Sequence, residues 1–163
     1  MAVCTTLPVV ASWAEIEKEV PDLAGRALEL FDAGVHKTIA TLRRDGSPRI
    51  SGTECLFVDG DLWLGSLWQA VKALDLQRDA RFAIHSGSAD PEVWKGDAKV
   101  AGVAEEITDP KRIKEILTQA PPGPAHLFRA DITELVLISL SADKKKLDIE
   151  SWRPGRGVTR YER

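Results

Sequence analysis

Residues 35–66, VHKTIATLRRDGSPRISGTECLFVDGDLWLGS, decide how this chain is read. β-Branched residues become frequent here, and turn-forming residues recur at short intervals, which is the pattern of an antiparallel sheet. Val35 to Arg43 reads as a strand, Asp45-Gly46-Ser47-Pro48 as a turn, and Arg49 to Val58 as the antiparallel partner. Asp59-Gly60 predicts a second hairpin, because both central positions of a type I′ turn need positive φ and Asp followed by Gly tolerates that. Leu62 to Ser66 is then a third strand.

Upstream, Ser12-Trp13-Ala14-Glu15 is a capping box that opens a helix. Pro21 interrupts it. Leu23, Ala27, Leu30 and Phe31 then recur at helical spacing until Gly34, read as a left-handed stop. Downstream, Gln69 to Gln77 predicts a short helix, Arg81 to His85 a strand, and Ser86 to Gly96 a loop. Asp97 to Glu105 is a further strand, with Gly102 marking a bulge or a close backbone approach. Asp109-Pro110 starts another helix with Ile113, Ile116 and Leu117 as its apolar stripe, and Pro121-Pro122-Gly123-Pro124 ends it. Glu134 to Leu140 is an apolar run typical of a strand buried on both faces, and Lys146 to Trp152 alternates as the last strand. The expectation is one domain over residues 1–163. It has a helical segment at 12–33, six or seven antiparallel strands in meander order with short helices between them, and a basic tail at 153–163. Such a chain suits a small barrel or a strongly curved sheet.

Composition narrows the function classes. A formal net charge of −3 over 163 residues supplies no global positive field, so neither nucleic acid nor an anionic membrane is an expected partner. Any anion must be bound by a local site. No apolar run is long enough to span a bilayer, and Met1 to Ala11 lacks the basic start and apolar middle of a signal sequence, so the expected location is cytoplasmic. Cys4 and Cys55 form no CxxC and are read as reduced thiols. His36, His85 and His126 stand far apart, and no metal-ligand spacing is present. Nor is there a GxSxG, Walker A or GxGxxG motif, which leaves hydrolase and nucleoside-triphosphatase readings unsupported and the catalytic residues unassigned.

Three segments carry possible chemistry. Period-two alternation puts Arg49, Ser51, Thr53 and Cys55 on one strand face, a small polar stripe suited to a flat polar ligand, although an ordinary exposed face has the same composition. Leu64 to Lys72 runs from a strand through a small-residue turn into a helix, where unpaired N–H groups, the Ser66 hydroxyl and the Lys72 ammonium can meet a phosphate. A helix cap beside a solvated lysine accounts for the same residues. Ser151 to Gly157 places Trp152 and Arg153 where an aromatic pocket and an anion contact can form; a buried Trp followed by a basic tail is the alternative.

Taken in order, TIATLRRDGSPRISGTECLFVDGDLWLGS, KALDLQRDARFAIHS, GDAKVAGVAEEITDP and LDIESWRPGRG resemble the pyridoxamine 5′-phosphate oxidase-like split-barrel family, over roughly Val35 to Gly157. The resemblance implies a six-stranded antiparallel split β-barrel that forms a homodimer, with FMN at the subunit interface and a small organic molecule as substrate. It implies that Arg49, Ser51 and Thr53 run along the flavin, that Ser66 and Lys72 hold its phosphate, and that Trp152 and Arg153 lie near flavin and substrate. The sequence departs from the pattern at Val71, where the family often has Arg, and at Asp75, where Asn is usual; Trp68 is bulky for a phosphate turn. The leading expectation is an FMN-dependent oxidoreductase. Two alternatives are a reductase using the deazaflavin coenzyme F-420, whose acidic tail would draw on Arg153, Arg156 and Arg160, and a non-catalytic split barrel that binds flavin or haem.

Overall fold

The computed structural model describes residues 8–163, so the reading of Cys4 lies outside the described residues. Two helices, α1 (Trp13–Glu19) and α2 (Pro21–Asp32), lead into β1 (Lys37–Leu42), β2 (Pro48–Thr53), β3 (Cys55–Val58) and β4 (Asp61–Leu67). Helix α3 (Val71–Arg78), β5 (Arg81–His85), β6 (Asp97–Ile107), α4 (Pro110–Ile116), β7 (Ala125–Leu140), β8 (Leu147–Arg153) and β9 (Gly157–Glu162) follow.

The strands form one antiparallel sheet in the order β2-β1-β5-β6-β7-β4-β3, with β8 and β9 continuing from β7. This corrects the meander, and nine strands among the described residues stand where six or seven were expected. Residues 49–58 are not one strand: the chain breaks at exposed Glu54, so that β2 stays on β1 while β3 folds onto β4 at the opposite edge of the sheet. Two edge strands separated by one residue force the sheet to curl round upon itself, and because β2 and β3 do not pair, the curl stays open. The gap between β2 and β3 is the seam of the barrel, and its central strand is β7. Its first half pairs with β4, its second half with β8, and nearly all of it with β6. Sequence periodicity marks only the apolar second half of this 16-residue strand, because residues 125–133 mix polar and apolar side chains. The basic tail is also corrected, since Gly157–Glu162 forms β9 against β8.

Local chemistry behaves as the residues dictate. The Ser12 N–H donates to Glu15 Oε2 at 2.8 Å, and the Glu15 N–H to Ser12 Oγ at 3.3 Å, completing the capping box. Asp59 and Gly60 have φ of 55° and 79°, as the type I′ turn requires. At Gly102 the β6–β7 register shifts, and a Cβ would lie 2.3 Å from the Asp131 carbonyl oxygen, so no side chain fits. Gly34 is not the expected left-handed stop: α2 ends on Ala33 in right-handed geometry (φ −62°), its N–H bonded to the Glu29 carbonyl. The core gathers Phe31, Ile39, Leu62, Phe128, Ile132 and Leu135 beneath α1 and α2, with Trp13 meeting Phe57 edge-on at 4.6 Å. Each fully buried aromatic or branched side chain contributes about 1.5–3 kcal/mol. Among the described residues, no helix is long and apolar enough to cross a membrane.

Candidate functional site

The open seam of the barrel holds a cavity of about 570 Å³. Its near wall is the β2–β3 crossing, Gly52 to Leu56; its floor is the end of β4, Gly65 to Leu67, with Lys72 beside it; its far wall is the segment from Ile116 to Ala125. That far wall is held by Leu117, whose side chain occupies the space a Cβ on Gly65 would need.

Three features of the floor converge. Lys72, half-buried, donates from Nζ to the Gly52 carbonyl at 2.7 Å, tying α3 to β2 across the seam. Burial pulls its pKa below the ordinary lysine value, and the neighbouring Glu54 carboxylate opposes that only in part. The Ser66 Oγ is buried and, among the described residues, has no hydrogen-bond partner. Helix α3 follows Ala70, which gives it no side-chain cap; the Ala73 N–H bonds the Ala70 carbonyl at 2.9 Å, and the Val71 and Lys72 N–H groups are the first-turn donors left to a ligand. Unpaired donors, a buried hydroxyl and a half-desolvated ammonium together form a site that an anion would complete.

Of the residues the sequence singles out, the structure brings Thr53, Cys55, Ser66 and Lys72 to this cavity, with His36 at its rim. Arg49, Ser51, Trp152 and Arg153 are elsewhere. The Arg49 Nε donates at 2.6 Å to Asp75 Oδ2 and Ser51 is not in the lining, so of the four residues that alternation puts on one face, Thr53 and Cys55 reach the opening. Trp152 is fully buried in the core, with its indole N–H donating to Glu19 at 3.0 Å, and Arg153 bonds Glu134; neither lines the cavity. Cys55 does line it, and burial pushes its thiol up to about 11, which leaves it protonated and unreactive at neutral pH.

The departures at Asp75 and Trp68 acquire a structural meaning. Asp75 does not face the cavity. It is buried and accepts from Arg49, Arg78 and Thr41. Burial alone would push its carboxyl up, but these hydrogen bonds outweigh it and hold the group below its ordinary value. The Trp68 indole does not block the turn; it stacks on His126 at 4.7 Å and 8°, outside the cavity lining. The far wall, Ile116 to Ala125, is what sequence reasoning missed. Its prolines marked only the end of a helix, and nothing local signals that the segment folds back over β4.

No family model matches the sequence, and no curated protein is similar to it in sequence. Solved structures are similar in fold. PhzG from Burkholderia lata 383, solved with tetrahydrophenazine-1-carboxylic acid, superposes with a TM-score of 0.63 at 14% identity, over 100% of this chain and 99% of its own. A pyridoxamine 5′-phosphate oxidase-related, FMN-binding protein from Nostoc punctiforme gives 0.59 at 12% identity, over 85% and 93%. A haem-binding protein from Mycobacterium smegmatis gives 0.58 at 15% identity, over 87% and 88%. With its open curled sheet and its order of elements, the chain has the split-barrel fold of the pyridoxamine 5′-phosphate oxidase-like, FMN-binding proteins.

Proposed function

We propose that the seam cavity binds FMN and that the protein is a flavin-dependent oxidoreductase acting on a small organic substrate. The observation that carries this reading is one cavity lined by both Ser66, whose buried hydroxyl has no partner among the described residues, and the half-buried Lys72 in the first turn of α3. Leaving a buried hydroxyl unpaired costs about 1–3 kcal/mol, and a phosphate oxygen is the acceptor this group of donors fits. Ser66, Lys72 and the first N–H groups of α3 would hold the phosphate, while Thr53 and the β3 backbone would border the rest of the cofactor. Bound flavin supplies the hydride and electron chemistry, so the protein's own task is to anchor, orient and shield it.

The same reading includes a homodimer. Leu67, Trp68 and Val71 at the β4–α3 turn and Ile50 on β2 are all more than half exposed, apolar surface that a second copy would cover. The deazaflavin alternative gains no support from Arg153, Arg156 and Arg160, because none of the three lines the seam cavity and Arg153 and Arg160 are paired with Glu134 and Glu150. Haem is the second reading, favoured by His36 at the rim of the cavity and by haem-binding proteins of similar fold.

The test is a titration of the purified protein with FMN, followed by flavin fluorescence and by sedimentation. Micromolar binding by a dimer is expected, weakened in Lys72→Ala. Absence of binding at that concentration removes the flavin reading, and a Soret shift with hemin that is lost in His36→Ala establishes haem in its place.

A further inference from the structure

The turn between β4 and α3 is held by residues outside the cavity lining. Gln69 has φ of 60°, the left-handed region that non-glycine residues enter at a cost. Its N–H donates at 3.3 Å to Nε2 of His126, an imidazole on β7 that is 2% exposed. The opposite ring nitrogen, Nδ1, lies 2.7 Å from Glu106 Oε1 on β6, and Gln77 on α3 donates to both oxygens of that carboxylate. Trp68 covers one ring face, and Phe128 stacks near it at 6.1 Å. Accepting from Gln69 and approaching Glu106 fixes the tautomer: Nδ1 carries the proton and Nε2 is bare.

We infer that neutral His126 is a positioning residue for the anion-binding turn, and that its protonation releases the turn. An imidazolium has N–H at both nitrogens, so Nε2–H would face the Gln69 N–H, two donors with no acceptor between them. The contact that holds Gln69 in its left-handed conformation then becomes repulsive. Gln69 lies between Ser66, which the β4–β7 ladder holds, and Lys72 on α3, so releasing it frees the start of α3 to move relative to Ser66. The titratable group facing the ring from the neighbouring elements is Glu106; Gln69 and Gln77 present amides, and Trp68 and Phe128 present aromatic rings. Glu106 is the counter-charge that an imidazolium at this position would face. This inference rests on the FMN reading for its effect on affinity. The clamp itself does not depend on it.

The experiment follows two signals from pH 8 to pH 5, a range that spans ordinary imidazole titration. The first is tryptophan fluorescence of the protein without added cofactor. A stacked imidazolium quenches an indole, so the wild-type signal falls with acid, and Trp68→Phe and His126→Gln both remove that component. The second is FMN affinity. A glutamine oxygen can accept from Gln69 but does not titrate, so the pH 8 to pH 5 ratio of affinities is about fivefold larger in wild type than in His126→Gln, the loss of one hydrogen bond. Protonation of the phosphate affects both proteins alike and cancels from the comparison. Equal fluorescence titrations in wild type and His126→Gln overturn the clamp, and equal affinity ratios overturn its link to the cofactor. If FMN binds at no pH, the FMN reading fails while the fluorescence arm still decides the clamp. If His126→Gln does not fold, Glu106→Gln replaces it: the wild-type response must move to lower pH, and an unmoved curve overturns the inference.

Discussion

The two ends of helix α3 each take polar groups out of water, and they treat them in opposite ways. Near its C-terminal end the Asp75 carboxylate receives hydrogen bonds from β1, from β2 and from its own helix. At its N-terminal end the Ser66 hydroxyl has no partner among the described residues, and Lys72 has one carbonyl. Groups that are fully paired within the chain have nothing left to offer a ligand, whereas groups left unpaired cost stability until something arrives. The contrast separates architecture from site more sharply than residue type does, since an arginine, an aspartate and a tryptophan that look functional in the sequence are all on the saturated side.

The largest expected effect breaks the saturated end. Asp75→Ala leaves the Arg49 and Arg78 guanidinium groups without their carboxylate and removes one of the ties between α3 and the sheet, a loss of about 3 kcal/mol, near the lower end for breaking a buried pair because both arginines keep some solvent. Urea denaturation measures it; a loss under about 1 kcal/mol would show that the cluster does not hold the helix. The same end predicts an acid limb of stability. Asp75 and Glu150 have folded pKa values below their ordinary ones: burial pushes each up, and arginine hydrogen bonds outweigh it. Their contribution is therefore complete above the unfolded values of 3.8 and 4.5 and declines as pH falls below them. Glu150→Gln should flatten the Glu150 share of that limb in thermal melts taken from pH 6 to pH 3.

Lys72→Ala tests the other end and should do the reverse: little change in melting temperature, and a loss of FMN affinity of about 10- to 100-fold, the worth of one charge-assisted hydrogen bond of 1.5–3 kcal/mol. The pH dependence has a definite sign. Phosphate favours the ammonium form, so affinity is full while the free lysine is charged and falls as pH rises through its pKa. Burial lowers that pKa from 10.5, so the fall begins at lower pH than an ordinary lysine would give. Lys72→Arg, which stays charged, should remove the alkaline fall in a fluorescence titration carried from pH 8 to pH 10.5.

The split between saturated and unsaturated groups also explains what the sequence could disclose. The capping box at Ser12, the type I′ turn at Asp59-Gly60, the bulge at Gly102 and the strand Arg81–His85 are set by neighbours within a few residues, and they appear where the pattern puts them. The turn carrying Ser66 and Lys72 is legible for the same reason, because a strand running through small residues into a helix is local. The order β2-β1-β5-β6-β7-β4-β3 is not local: it depends on one exposed residue, Glu54, sending the chain from one edge to the other. The pairing of Arg49 and Trp152 is not legible locally, because their partners, Asp75 and Glu19, are 26 and 133 residues away. Leu117 was missed because its contact with Gly65 exists only after α4 folds back.

The smallest effect sharpens the comparison furthest. Ser66→Ala removes a buried hydroxyl that has no partner, so it removes a desolvation cost together with the group, and the protein without cofactor should be unchanged or more stable by up to about 1 kcal/mol. The same substitution should weaken FMN about three- to tenfold, because the hydroxyl's one proposed acceptor is the ligand. Opposite signs in the two measurements, calorimetry without cofactor and titration with it, are a signature that a purely structural serine cannot give. A destabilised Ser66→Ala variant would place an unseen water or backbone acceptor at that oxygen and move the anion site onto Lys72 and the helix N–H groups alone.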